Sequence, residues 1–294
     1  MDFDKGELMR ANDCHLHIVP IEKMNTNFNE KILSSMKFSP DLYVEICKSP
    51  SKLVEVLDEC GIERAAIMSY PSPETHGLRM EIVDFVIDYC SEFRERLYPV
   101  GSVHPVLMSR REILSSLDDQ YARGIAALKL HPVHQHFKPN DYREEEKGLR
   151  NLELIYEFAS QNKIAVMFHT GTSILPGARI KFGDPIFLDD VALDFPNLKI
   201  VMCHGGRPFW MERAFFLMRR FRNIWMDVSG IPPRKIYDYF PRFDLIAERC
   251  IYGSDLPSPG VRGLRENLEE FLSLEMDGEV KKKVVFENFM KVFR

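Results

Sequence analysis

The sequence predicts an α/β protein with a single-domain (β/α)8 TIM barrel. Short β-like runs alternate with helix-like runs, and eight strands can be counted along the 294 residues. Strand followed by helix, repeated eight times in a chain of this length, is typical of such a barrel. The chain is also 45% hydrophobic, which is enough to bury one large core.

Each predicted strand is followed by an amphipathic segment, and the last segment is a C-terminal helix. The predicted strands are Asp13–Ile18, Arg64–Ser69, Leu97–Val103, Ile125–His131, Ile164–His169, Lys199–His204, Ile224–Val228 and Cys250–Ser254. The predicted helices are Ser51–Cys60, Leu78–Phe93, Ser109–Ala122, Glu146–Gln161, Leu188–Phe195, Trp210–Phe221, Lys235–Phe240, Gly263–Leu274 and Glu279–Phe293.

A doubly wound open sheet is the competing architecture. It favours a glycine-rich first βα turn, and the pattern G-x-G-x-x-G is absent here. Two connections, about 19–50 and Thr170–Asp184, are longer than ordinary loops between a strand and a helix. Long ordered loops in a compact domain tend to be functional. Residues 1–294 are therefore expected to form one barrel with a long loop insertion.

Composition and charge argue against several classes of partner. The chain has 39 basic and 44 acidic residues, a formal charge of -5, which does not favour a nucleic-acid surface. No apolar run is long enough to span a membrane, and the N-terminus lacks the pattern of a signal peptide. The six cysteines are scattered, as expected for reduced thiols of a cytoplasmic protein. A small-molecule substrate is the expected partner.

The first strand carries polar residues at every second position. Asp13, His15 and His17 alternate with Cys14 and Leu16, so the two sets are expected on opposite faces. Cys14 and Leu16 suit the side that faces the helices. Two imidazoles and a carboxylate then point into the barrel, where burial is costly unless something binds them. Imidazole is a ligand for zinc, copper, iron and nickel ions.

Three other predicted strands end in a polar residue just before a turn. Strands five and six end in His169 and His204, and strand eight is followed by Asp255. In a (β/α)8 barrel these ends meet on the C-terminal face, where active sites lie. Isolated histidines such as His76 and His104 are more often solvated or hydrogen-bonded loop residues. The combined set therefore predicts a metal site at the C-terminal ends of the strands.

Further candidates are weaker. Lys129 and His131 alternate on strand four and are expected to face the site. Arg207 and Arg179 are candidates for binding a substrate carboxylate through bidentate hydrogen bonds, although each is equally typical of a surface arginine. A second H-x-H, His134–His136, precedes a loop-like run, so a metal role is less expected there.

These residues together resemble the amidohydrolase superfamily, with H-x-H on strand one, histidines on strands five and six, and an aspartate on strand eight. The runs D-x-H-x-H, F-H-T-G, C-H-G-G, Y-G-S-D-L-P and F-E-N-F-M resemble its amidohydrolase 2 branch. That branch includes aminocarboxymuconate-semialdehyde decarboxylase and predicted TIM-barrel metal-dependent hydrolases. The resemblance covers about residues 11–294.

The resemblance implies a role for each matched residue. His15 and His17 would bind a catalytic divalent ion, most often zinc, with manganese, iron or nickel as alternatives. His169 would be the third protein ligand. Asp255 would bind the metal or take a proton from its water, and His204 would act as acid, base or polarising group.

The same resemblance implies an enzyme, and it leaves the reaction open. The expected function is hydrolysis of a small organic acid, lactone or amide through a metal-activated water. The alternative is non-oxidative decarboxylation of an unsaturated or aromatic acid, and a second alternative is a barrel that binds metal or ligand without turnover. Two-metal members carry a carboxylated lysine on strand four, so Lys129 is a candidate ligand for a second ion. Similar proteins are often dimers, which makes a homodimer the expected assembly.

Overall fold

A computed structural model describes residues 10–20 and 34–293 of the chain. Eight parallel strands pair in chain order in one sheet. Their bounds are β1 Ala11–His17, β2 Ile62–Met68, β3 Leu97–Gly101, β4 Ala127–Leu130, β5 Ala165–His169, β6 Ile200–Cys203, β7 Ile224–Asp227 and β8 Cys250–Ile251. All eight predicted strands are therefore present, most of them shortened at the ends.

Backbone hydrogen bonds bring the last strand back to the first. The Cys14 N–H donates to the Tyr252 carbonyl at 3.0 Å, and the His17 N–H donates to the Leu256 carbonyl at 2.8 Å. The Asp255 N–H in turn donates to the His15 carbonyl at 2.8 Å. The sheet is therefore a nearly closed barrel, which confirms the predicted fold. The competing architecture, a doubly wound open sheet, is wrong.

Helices alternate with the strands and cover the outside of the barrel. The α-helices that the structure describes are Pro40–Lys48, Pro50–Glu59, Glu81–Cys90, Arg110–Ala122, Pro132–Gln135, Arg150–Gln161, Leu188–Asp194, Met211–Arg220, Ile236–Tyr239, Leu264–Leu272, Gly278–Lys282 and Phe289–Val292. None of these helices combines the length and apolar character needed to cross a membrane.

Three helical segments differ from the expectation. The predicted helix Glu146–Gln161 begins only at Arg150, because the chain turns at Gly148, whose φ of +62° lies in the left-handed region. The predicted C-terminal helix is interrupted by a π turn at Lys283–Glu287. Part of the predicted loop 19–50 falls on residues 21–33, outside the described ranges, and its later part contains the helix Pro40–Lys48.

Two apolar layers lie on the two sides of the sheet. Alternate strand residues such as Leu128 and Phe168 pack outward against the helices. The intervening residues, such as Val100 and Met167, fill the barrel lumen together with Phe289 from the C-terminal segment. Because the lower lumen is filled with apolar side chains, polar side chains can converge only above it, at the C-terminal ends of the strands.

One expectation about β1 is wrong. Cys14 packs in the lumen layer, while Leu16 packs against the helices, so the two do not share a face. The pairing of β1 with β2 shifts register between Asp13 and Leu16, which is the signature of a β-bulge. The extra residue turns Cys14 inward and still leaves His15 and His17 directed to the site.

Candidate active site

The side chains of His15 and His17 meet at the C-terminal end of β1. Their Nε2 atoms are 3.1 Å apart. His15 Nδ1 lies 2.5 Å from Asp227 Oδ2, and His17 Nδ1 lies 3.2 Å from the Met68 carbonyl oxygen. Since a carboxylate and a carbonyl only accept, each Nδ1 carries the ring proton and each Nε2 presents a lone pair. Two lone pairs facing each other are unfavourable unless a cation lies between them.

Asp255, which follows β8, supplies a third donor atom to the same point. Its Oδ1 lies 3.5 Å from the Nε2 atoms of both His15 and His17, and the three ligand atoms form one group within 4.8 Å. Ligands bound at about 2.0–2.2 Å to one zinc-like ion stand roughly 3 to 3.5 Å from one another. The residues present therefore fit a single divalent cation.

Burial and neighbouring charges keep His15 and Asp255 deprotonated. Burial, with Lys129 adding to it, lowers the pKa of His15 to about 3. Burial alone would raise the pKa of Asp255, but the imidazoles of His204 and His15 hold it well below its usual range. Burial acts in the same way on Asp227, and His15 again outweighs it and lowers the pKa of that carboxyl. Deprotonated imidazole and carboxylate are the forms that bind a metal ion.

His204 lies beside this group with its ring fixed. Its Nδ1 donates to the carbonyl oxygen of Ser229 at 2.9 Å, so Nε2 again has the lone pair. The ring centroid is 5.0 Å from that of His15 and 4.8 Å from that of His169. Burial lowers the pKa of His204. The side chain is therefore set to accept a proton at Nε2 in its resting form.

His169 reaches the site from β5, and its Nε2 is buried without a hydrogen-bond partner among the residues that the structure describes. Such an atom suits a ligand to a metal ion or a contact with a substrate. Its ring stacks on His131, however, and it belongs to neither of the groups of close ligand atoms found in the described part of the chain. The second of those groups is formed by His15, His204 and Asp227. Hydrogen bonds join these residues, because His15 Nδ1 donates to Asp227 and Ser229 contacts the Nδ1 atoms of both His15 and His204. A role of His169 as third ligand remains a prediction.

Lys129 is 1% exposed and points into the lumen. Its Nζ lies 3.2 Å from Cys203 Sγ and 3.5 Å from His15 Nε2. No ion pair to Lys129 is formed by the residues that the structure describes. The Asp13 carboxylate, near the same end of the barrel, accepts from the backbone N–H groups of His15 at 2.9 Å and Ser254 at 3.0 Å.

The ligand group opens into a cavity of about 270 Å3. Lys129 and Arg207 are the lysine and arginine that line it among the described residues. Arg207 Nε is buried and has no hydrogen-bond partner within residues 10–20 and 34–293, and Arg207 Nη2 comes close to Gly230, next to Asp255. Arg179, the other arginine predicted to bind a carboxylate, is exposed and does not line the cavity.

Several residues of the site were missed in the sequence. Asp227 closes β7 as His169 closes β5, so its position at a strand end is a signal that could have been used. Tyr70, His76 and His134 form a wall of the cavity. Their positions in the sequence gave no such signal, because these residues lie in loops and a short helix. All three are buried and line the cavity.

Comparison with protein families identifies the chain. The model of the amidohydrolase family Amidohydro_2 matches residues 13–294. The chain belongs to this amidohydrolase family. No curated protein matches it.

Solved structures show the same barrel as this amidohydrolase. A TIM-barrel protein of unassigned function from Bordetella bronchiseptica is 21% identical, with a TM-score of 0.76 and coverage of 96% of this chain and 98% of that one. A probable 2-pyrone-4,6-dicarboxylic acid hydrolase from Acinetobacter baumannii is 15% identical, with a TM-score of 0.64 and coverage of 97% and 99%. A 5-carboxyvanillate decarboxylase from Novosphingobium aromaticivorans, with bound manganese, is 14% identical, with a TM-score of 0.60 and coverage of 98% and 97%. At these identities the likeness establishes the fold alone.

Proposed function

We propose that this amidohydrolase is a metal-dependent hydrolase of a small organic acid, lactone or amide. The observation that carries the proposal is the opposed pair of Nε2 lone pairs on His15 and His17, 3.1 Å apart, with Asp255 3.5 Å from both. A divalent ion bound there supplies a Lewis acid that polarises a carbonyl group and activates water. We favour one zinc ion, with manganese, iron or nickel as alternatives for the same donor atoms.

Asp255 and His204 are the proton carriers in this proposal. Asp255 is ionised and buried as a member of the ligand group, so it can take the proton of the attacking water. His204 has a free Nε2 lone pair, because its Nδ1 proton is held by the Ser229 carbonyl. It can accept at Nε2 the water-derived proton that Asp255 takes up, and pass it to the leaving group without rotating its ring.

Two cationic side chains suit an acidic substrate. Arg207 lines the cavity, and its Nε has no partner in the described part of the chain. A guanidinium binds a carboxylate through parallel hydrogen bonds. Lys129 lies deeper, 3.5 Å from His15 Nε2, where it favours negative charge that develops on the substrate. Both cations therefore support a carboxylate-bearing substrate over a neutral one.

The alternative is non-oxidative decarboxylation of an unsaturated or aromatic acid. The likeness of the barrel to a manganese-containing 5-carboxyvanillate decarboxylase supports this alternative. His204 also suits it, because a proton first taken up from water at Nε2 can be given to a carbon atom before carbon dioxide leaves. The same residues would then bind the substrate and move the proton.

One experiment separates the reactions. Metal-loaded protein is incubated in 18O-labelled water with a panel of small acids, lactones and amides, and both the product and released carbon dioxide are analysed. Label in the product supports hydrolysis, whereas carbon dioxide without label supports decarboxylation. Asp255→Asn is the matched variant, because either reaction should lose most of its rate, while a barrel that only binds a ligand would keep its binding. No turnover on the panel contradicts the hydrolase proposal for these substrate classes.

We also propose that the protein is cytoplasmic and forms a homodimer. All six cysteines are buried thiols, which supports a reducing compartment. Sedimentation of the purified protein tests the dimer.

A further inference from the structure

His131 stands at the end of β4 and caps the short helix Pro132–Gln135. Its Nδ1 accepts a hydrogen bond from the His134 backbone N–H at 3.2 Å. A nitrogen that accepts cannot carry a proton, so the neutral ring has its proton on Nε2. The cap of the helix therefore fixes the tautomer of this histidine.

Three flat side chains hold the ring in place. His131 stacks on His134 at 3.7 Å, on His169 at 3.9 Å and on Tyr70 at 4.6 Å between ring centroids. The interplanar angles are 15°, 16° and 29°. Rotation of the ring would break the cap and all three stacks, so the direction of the Nε2–H bond is fixed as well.

The backbone beneath the ring is anchored too. Gln135 Oε1 accepts from the His131 N–H at 2.9 Å. Gln135 Nε2 donates to the carbonyl oxygens of Pro71 and Val103, each at 3.0 Å. These bonds tie the turn after β4 to the segments that follow β2 and β3, so little movement remains for the donor.

The Nε2–H donor itself has no acceptor among residues 10–20 and 34–293. His131 lines the cavity and is 4% exposed, and the contacts of its ring with these residues are the hydrogen bond from the His134 N–H and the three stacked rings. A nearly buried donor without an acceptor is costly. A rigid donor that faces a cavity and lacks a protein acceptor suits recognition of a substrate oxygen.

Resting on the proposed function, we propose that His131 determines substrate specificity by donating from Nε2 to a second acceptor group of an acid bound at Arg207. Arg207 follows β6 and lies near Gly230 after β7, whereas His131 follows β4 and contacts Tyr70 after β2. The two donors therefore stand on different sides of the cavity. The substrate class that satisfies both is a small hydroxy-, oxo- or dicarboxylic acid.

The test uses two probes of equal length, glutarate and pentanoate, which differ in the second carboxylate. Binding to the metal-loaded full-length protein is measured by calorimetry. Wild type should bind glutarate about tenfold more tightly than pentanoate, the usual effect of one hydrogen bond to a charged acceptor. His131→Asn keeps a side-chain acceptor for the helix cap and removes the distal donor. It should lose the preference and leave pentanoate binding unchanged.

His131→Gln is the complementary variant, because its amide reaches toward the position of Nε2 but cannot cap the helix. It should retain more of the glutarate preference than His131→Asn, although it melts at a lower temperature. The opposite order, or an equal preference in wild type and His131→Asn, would show that the ring only caps the helix. No binding of glutarate to wild type also overturns the assignment. Absence of hydrolysis with the preference intact would instead refute the hydrolase proposal and leave the role of His131 standing.

Discussion

His15 Nδ1 and Asp227 Oδ2 are 2.5 Å apart, and both side chains are fully buried. Asp227 is itself held by Ser229, whose N–H donates to Oδ1 at 2.7 Å and whose hydroxyl donates to Oδ2 at 3.0 Å. A carboxylate behind a metal-binding imidazole fixes its tautomer and makes its other nitrogen more basic. β7 thus contributes to the candidate metal site through a residue on β1.

Replacement of that carboxylate should weaken metal binding without unfolding the protein. Asp227→Asn removes the negative charge but keeps an oxygen that can accept from His15 Nδ1. We expect the affinity for zinc to fall roughly 10- to 100-fold, as measured by competition with a chelator of known affinity. Asp244→Asn is the matched control, because Asp244 is exposed and accepts from the Tyr237 hydroxyl at 2.7 Å. Equal affinities in the two variants would contradict the role given to Asp227.

Metal content tests the ligand set directly. Elemental analysis of freshly purified protein should give about one ion per chain, and His15→Ala/His17→Ala should hold almost none, because two of the three close ligand atoms are lost. His136→Ala is the control, since this histidine is outside the cavity lining and contacts the Gly177 carbonyl. About two ions per wild-type chain would indicate that Lys129 is carboxylated and bridges a second site. Metal in the double variant would rule out the proposed ligands.

The sequence allowed the barrel and the approximate site to be predicted for a simple reason. In a barrel the carboxyl ends of all parallel strands meet, so polar residues at strand ends, such as His204 and Asp255, must converge whatever their distance along the chain. Helix bounds were less predictable, because Gly148 and the π turn at Lys283–Glu287 act locally inside helical periodicity.

Other features depend on register and tertiary contacts that periodicity does not encode. The bulge in β1 turns Cys14 into the lumen, and an alternating pattern cannot reveal it. His134 reads as a loop residue, yet it is buried because Tyr70 and Ser173 hydrogen-bond its two ring nitrogens at 2.9 and 2.8 Å. These partners come from segments 64 and 39 residues away.

The two arginines predicted to bind a carboxylate should behave differently. Arg207→Met should raise KM for an acidic substrate by roughly tenfold to a hundredfold, because a charged hydrogen-bond donor is lost from the cavity wall. Arg179→Met should leave KM nearly unchanged, since Arg179 is exposed and outside the lining. Steady-state kinetics of both variants make the comparison. A larger effect at Arg179 would place the substrate carboxylate on the loop instead.

His76 should make stability depend on pH. Burial, with His17 adding to it, lowers the pKa of His76 to about 3, whereas the unfolded chain has a value near 6.5. The unfolded state therefore binds more protons below about pH 6.5, and this contribution to stability is complete above that pH and is lost as the pH falls. Relative to His76→Gln, the wild-type free energy of unfolding should fall as the pH drops below about 6.5, with a slope that approaches about 1.4 kcal/mol per pH unit near pH 5. Urea unfolding at pH 7, 6 and 5, with chelator present to keep metal release out of the comparison, measures it. If the free energy of unfolding of wild type and of His76→Gln changed equally with pH, this account of His76 would be contradicted.

A side chain at Gly230 should disturb the site by steric contact, and Gly148 is a control that shows the effect of backbone strain alone. A Cβ at Gly230 would lie 2.9 Å from His204 Nδ1 and 3.2 Å from Asp255 Oδ2, and its φ is +67°. Gly148 has a similar φ of +62° but open space around the same position, so Gly148→Ala reports the backbone strain alone, about 1–2 kcal/mol. Gly230→Ala should show that loss of stability and, in addition, a fall in kcat of roughly a hundredfold, because the proton carriers are displaced. Its metal content should fall less than that of His15→Ala/His17→Ala, since two of the three close ligand atoms are untouched. Equal kcat values in the two alanine variants would mean that the positions of His204 and Asp255 do not limit the reaction.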